Sequence, residues 1–158
     1  MKFADFISIN AIRADLSADD KESVIGELVQ ALLEAGEVNP SEKDDIIAAV
    51  LKREDLGSTG IGRGVAVPHT KHPSVQKLVG TVGVSADGVD FNSLDGEKVQ
   101  LFFLLVSPPE RPGDHLRALE NISRQLRDDT FCRFLKQSRT TDDIHQLLEE
   151  ADNNQFAS

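Results

Sequence analysis

The residues best suited to chemistry lie in one segment, Arg53-Glu-Asp-Leu-Gly-Ser-Thr-Gly-Ile-Gly-Arg-Gly-Val-Ala-Val-Pro-His69. Four glycines fall between Gly57 and Gly64, followed by an apolar triplet, a proline and a histidine. Glycine at this density lets the backbone enter conformations with φ > 0 and approach a ligand closely. Successive N–H groups in such turns can form an anion-binding concavity. A histidine beside it and an arginine upstream point to chemistry on phosphate. Neutral imidazole can attack phosphorus and hand the group on, and its ordinary pKa of about 6.5 leaves much of it neutral near pH 7. Pro68 fixes φ and would help aim the chain carrying His69. The same glycines also suit a plain surface turn.

Other readings of these residues fail on spacing. Gly60-Ile-Gly62-Arg-Gly64 is not G-x-G-x-x-G, and no G-x-x-x-x-G-K-S/T occurs. No G-x-S-x-G elbow supports a Ser-His-Asp hydrolase. His72 follows His69 by three residues, but Pro73 argues against helical geometry and no nearby cysteine or carboxylate in the sequence completes a ligand set, so no metal is expected. Lys71 is an alternative phosphate neighbour, and His145 reads as a surface residue of the last helix.

These residues need elements to hold them. Residues 1–16 read as an irregular or short extended lead. Ser17 is the expected N-cap of a first helix, with Val24, Leu28, Ala31, Leu32 and Ala35 at helical spacing and Gly36 as its stop. Ser41 is the expected cap of a second helix, with Ile46, Ile47, Val50 and Leu51 inward, ending near Arg53. Val65–Val67 and Leu78–Ser85 read as strands, and Val89–Phe91 as a short edge strand after an Asp87-Gly88 turn. Val99–Val106 is almost wholly apolar and reads as a central strand covered on both faces. Residues 107–113 form a loop, then a helix begins near Asp114 with Leu116, Leu119, Ile122 and Leu126 periodic. A short helix follows around Phe131, Phe134 and Leu135, and a last one is capped by Thr140 or Thr141. Strands between helices imply an α/β layered fold.

The 158 residues suit one domain, placed at 1–150, with a polar, frayed tail at 151–158. No apolar run approaches the ~20 residues of a membrane span, so no membrane insertion is expected. The start lacks a sustained apolar run of the secretory kind. The single cysteine, Cys132, lies between Phe131 and Phe134 and reads as a packed thiol. These features suit a cytoplasmic protein. A net charge of −10, scattered basic residues and no Trp or Tyr argue against nucleic acid as a partner. An acidic surface instead favours a basic protein partner through steering. Ile61, between loop glycines, is the apolar residue best placed to meet it; Val65 and Val67 can point into the core.

The run from Arg53-Glu54 through Gly57-Ser58-Thr59-Gly60-Ile61-Gly62 to Gly64-Val65-Ala66-Val67-Pro68-His69 resembles the signature of phosphotransferase-system Enzyme IIA domains of the fructose/mannitol/nitrogen class. The resemblance spans about residues 5 to 150 and includes Asp114-His115-Leu116 entering a helix. It implies a single α/β domain with a mixed sheet and helices on both sides. It implies that His69 carries a phosphoryl group, with His115 and Arg53 beside it. A neutral His115 near a helix start could donate an N–H to a phosphoryl oxygen or to His69, and Arg53 would screen charge spread over the moving group. Ser58, Thr59, Gly60 and Gly62 are the expected phosphoryl-binding loop. The donor implied is an HPr-type phosphohistidine carrier, the acceptor a further protein, and no cofactor is needed. Such domains serve sugar transport or, in the stand-alone nitrogen-type members, regulation by phosphorylation state. A chain without an appended sugar-specific or membrane domain is most like the latter. A regulatory binding protein that keeps its phosphoryl group is the remaining alternative.

Overall fold

In a computed structural model, which describes residues 1–154, a five-stranded mixed sheet separates two groups of helices. The first helix, α1 (Lys21–Glu34), starts at Asp20, whose carboxylate accepts the Ser23 N–H at 2.8 Å. Ser17 is not its cap: the Ser17 N–H instead donates to the Glu27 carboxylate. The helix stops at Gly36, with φ of +80°, where Gly36 and Glu37 N–H groups donate back to Leu33 and Leu32 carbonyls. This reverse turn needs a left-handed residue, and glycine supplies it without a Cβ clash. Ser41 does not cap α2 (Lys43–Asp55) either; a 3-10 turn over Pro40–Glu42, led by Asn39, feeds the helix. Pro40 suits that entry because its fixed φ and missing N–H cost nothing in a first turn.

The strands are β1 (Gly60–Gly62), β2 (Val65–Ala66), β3 (His69–Lys71), β4 (Val79–Val89) and β5 (Val99–Ser107). β5 is central: β2 and β3 lie parallel along one side of it and β4 antiparallel along the other. Its apolar run follows from burial on both faces. Leu101, Phe103 and Leu105 pack towards α3 (Pro112–Gln125), α4 (Asp129–Gln137) and α5 (Thr141–Asp152), while Phe102, Leu104 and Val106 pack towards α1 and α2. With a period of two, alternate residues enter two separate cores.

Two further expectations change. Val89 is not a separate edge strand: β4 passes through an irregularity between Val84 and Val89 and continues to it. The lead over 1–16 is irregular, as expected, and it is packed: Phe3, Phe6, Ile7, Ala11, Ile12 and Leu16 are buried. It runs beside β4 through bridges Ile7 to Gly80 and Arg13 to Gly83, covering that sheet edge. The frayed tail does not begin at 151: Ala151 is buried, and the Asp152 carboxylate accepts the Phe3 and Ala4 N–H groups, tying α5 to the N-terminal turn. Residues 155–158 of that tail lie outside the described residues.

Candidate active site

β2 and β3 share one register against β5, with Val65 opposite Leu101 and His69 opposite Leu105. Pro68 separates them, and its carbonyl still accepts the Leu105 N–H at 3.0 Å. His69 is therefore fixed at the C-terminal end of the central strand. Its polar neighbours Thr70 and Lys71 hid this strand from the sequence pattern, because pairing here is decided by β5 and not by alternation.

The same strand end holds a second histidine. His115 Nδ1 lies 2.6 Å from the hydroxyl of Ser107, the last residue of β5. The His69 and His115 ring centroids are 5.3 Å apart, with the planes tilted by 60°. α3 begins at Pro112, two residues earlier than expected, so His115 is not a solvated first-turn residue. It is 6% exposed, and its N–H donates within the helix to Arg111.

Hydrogen bonding settles the tautomer of His69. Nδ1 lies 2.7 Å from the Val67 carbonyl oxygen, and a carbonyl only accepts, so Nδ1 carries the proton. In the neutral ring Nε2 then holds the lone pair, and no described residue hydrogen-bonds to it. Burial lowers the pKa of His69; the Val67 carbonyl opposes this, the Arg53 charge adds to it and Glu54 opposes it. His115 is lowered further, to about 4, by burial, then by His69 and Lys71. Both shifts favour the neutral ring at pH 7.

Arg53 sits in the last turn of α2 and donates to the Gly57 carbonyl at 2.8 Å. Glu54, which sequence reasoning passed over, is 6% exposed. Its carboxylate accepts the Thr59 N–H at 3.2 Å, the Thr59 hydroxyl, and the Lys21 ammonium at 3.1 Å. The Thr59 carbonyl accepts the Val67 N–H at 3.0 Å, and the Val67 carbonyl accepts from His69. Glu54 thus stands at the head of a short chain of contacts that ends on the His69 ring. An acidic residue three positions before the first glycine of the turn was the available signal.

The loop departs from an open amide concavity. Ser58 donates its hydroxyl to the Phe91 carbonyl at 2.7 Å and accepts the Gly60 N–H at 3.0 Å. The Thr59 N–H goes to Glu54 and the Arg63 N–H to Asp95. Gly60 and Gly62 belong to β1, where Gly60 packs so closely on Ser93 that an added Cβ would lie 3.0 Å from its Cα.

His72 is buried in a different setting. Its Nδ1 accepts the Ser74 N–H at 3.2 Å, so Nε2 carries the proton and donates to Asp45 at 2.5 Å. Glu42 also stands within 4.8 Å of this pair. The fold therefore supplies the carboxylates missing from the local sequence. The Nε2–H to Asp45 bond ties the residue that follows β3 to α2.

Residues 5–151 match the family model described as the phosphoenolpyruvate-dependent sugar phosphotransferase system, EIIA 2. The chain belongs to this family. It is 35% identical over 148 residues to a nitrogen regulatory protein of Bradyrhizobium diazoefficiens, covering 94% of this chain and 95% of that one. It is 34% identical over 152 residues to the fructose-specific EIIABC component of Bacillus subtilis, covering 96% of this chain but 24% of that longer protein. The crystal structure of the nitrogen regulatory protein IIA-Ntr from Neisseria meningitidis superposes with a TM-score of 0.83 at 26% identity, covering 92% of this chain and 98% of that one. No helix among the described residues is long and apolar enough to cross a membrane.

Proposed function

We propose that this EIIA domain is a phosphocarrier whose His69 Nε2 accepts a phosphoryl group from an HPr-type phosphohistidine protein. The observation that carries the reading is the Nδ1–H to Val67 carbonyl bond, which leaves Nε2 as the neutral nucleophile. The P–N bond of the donor breaks, its electron pair returns to the donor ring, and a new P–N bond forms at Nε2. Nδ1 keeps its proton throughout. His115, neutral and taking the Ser107 hydroxyl at Nδ1, offers an Nε2–H to a phosphoryl oxygen. Arg53 supplies the fixed positive charge. Ser58, Thr59, Gly60 and Gly62 act by fixing the loop beside Val67. Ile61, 49% exposed where Val65 and Val67 are buried, is the apolar contact for the donor.

Similarity to a nitrogen regulatory protein along almost the full length of both chains favours a regulatory role set by phosphorylation state. The second reading, transfer onward to an EIIB-type acceptor in sugar uptake, is supported by the match to the fructose-specific component. Incubation with phosphoenolpyruvate, Enzyme I and an HPr-type protein, followed by intact-mass analysis, tests the shared claim. One acid-labile phosphoryl group per chain is expected, and an unchanged mass would refute it.

A further inference from the structure

The opposite end of β5 from His69 carries a groove of about 360 Å³ whose charge runs against that of the whole chain. Arg63, Arg133, Lys136 and Arg139 line it, with Asp129 the one carboxylate among the described residues, in a protein of net charge −10. Its floor includes Gln100, the second residue of β5, whereas His69 pairs with Leu105 near the strand's end. The groove is thus separate from the histidine pair.

Its cations are held mainly by neutral acceptors. Arg63 pairs with Asp129 at 2.5 Å and donates to the Leu126 carbonyl. Lys136 donates to the Arg63 carbonyl, in the turn between β1 and β2. Arg139 donates to the Gln137 and Ser138 carbonyls at 3.1 and 3.2 Å, while Asp143 accepts only its backbone N–H. Arg133 lies over the Phe134 ring at 5.6 Å. Carbonyls and rings orient a cation without cancelling its charge, so Arg133, Lys136 and Arg139 keep a net positive field converging on one concavity. Arg63 itself takes φ of +58°, a left-handed conformation unfavourable for a side chain of this size, between two glycines.

We propose that this groove binds a compact small-molecule anion bearing two or more charged phosphate or carboxylate groups. The volume lies near the lower end for small-ligand sites. Among the described residues the lining holds no aromatic ring on which a nucleobase could stack, while Gln100 and Gln137 offer amide hydrogen bonds.

The test is a backbone-amide NMR titration of the full chain with pyrophosphate and, separately, citrate, against sulfate at matched ionic strength. Expected are saturable shifts confined to Arg63–Gly64, Gln100 and residues 129–139, with affinity at least about tenfold above that for sulfate. The two arms identify phosphate or carboxylate as the favoured group. An Arg133→Gln/Arg139→Gln variant, altered at two exposed positions, should keep the dispersed spectrum and weaken binding at least about tenfold. Equal shifts with sulfate, meaning an adventitious ion only, would overturn the proposal. So would shifts centred on His69, or binding unchanged in the variant.

Discussion

His69 donates at Nδ1 to a backbone carbonyl, whereas His72, three residues on, accepts at Nδ1 and donates at Nε2 to a carboxylate. Both rings hang from the same edge of the sheet. One is left with a free lone pair beside a second neutral histidine; the other is closed at both nitrogens. What a histidine can do here is set by which atom faces Nδ1, not by its nearness to the glycine-rich segment. Val67 presents a carbonyl to His69, and the chain from Glu54 through Thr59 holds that carbonyl in place.

The largest effect should come from exchanging the fates of the two rings. His69→Ala should abolish phosphoryl acceptance, while His72→Asn should leave it intact, as read by intact mass after incubation with the donor chain. Labelling of the His69 variant at full stoichiometry would break the comparison. Next, His115→Ala and Arg53→Ala should slow single-turnover transfer about tenfold to a hundredfold, since each removes a contact worth about 1–3 kcal/mol to the moving group. Rates equal to wild type in both would remove them from the site. The first residue of the positioning chain is Glu54; Glu54→Gln should lower the pKa of His69 further, because it removes a negative charge that raises it. Titration of the His69 ring by NMR gives the sign directly.

His72→Asn should act on stability alone. Loss of this hydrogen bond, buried at His72 but exposed at Asp45, costs about 0.5–1.5 kcal/mol, measurable as a lower denaturation midpoint with unchanged transfer. The last effect concerns acid. His115 is depressed from 6.5 to about 4, so the unfolded chain binds more protons in that window. The stability tied to neutral His115 is complete above pH 6.5 and is lost as pH falls towards 4. His115→Asn should flatten this part of a stability profile against pH.

Much of this contrast was legible in the sequence, and the rest has definite physical reasons for being hidden. The Gly57–His69 spacing singled out His69, and the apolar run over 99–106 identified the central strand because doubly buried strands lack polar alternation. The caps at Ser17 and Ser41 failed because Asp20 and the Asn39-Pro40 turn offered better local partners. β3 was missed since His69-Thr-Lys carries no strand pattern of its own. The Asp45–His72 clasp joins residues 27 apart, and the Ser107–His115 bond depends on where β5 ends relative to α3. Such contacts exist only once the layers are packed. The engaged N–H groups of the loop belong to the same class: glycine spacing permits an amide concavity, but Glu54, Ser58 and Asp95 occupy those donors.

The central claim is that His69 Nε2 is the neutral nucleophile and Nδ1 the proton carrier. Long-range proton–nitrogen correlation of the histidine rings in the phosphorylated protein tests it most directly. The account predicts phosphorus on Nε2 of His69, with Nδ1 protonated and His72 unmodified. Phosphorus on Nδ1 of His69, or on the ring of His72 or His115, would contradict it.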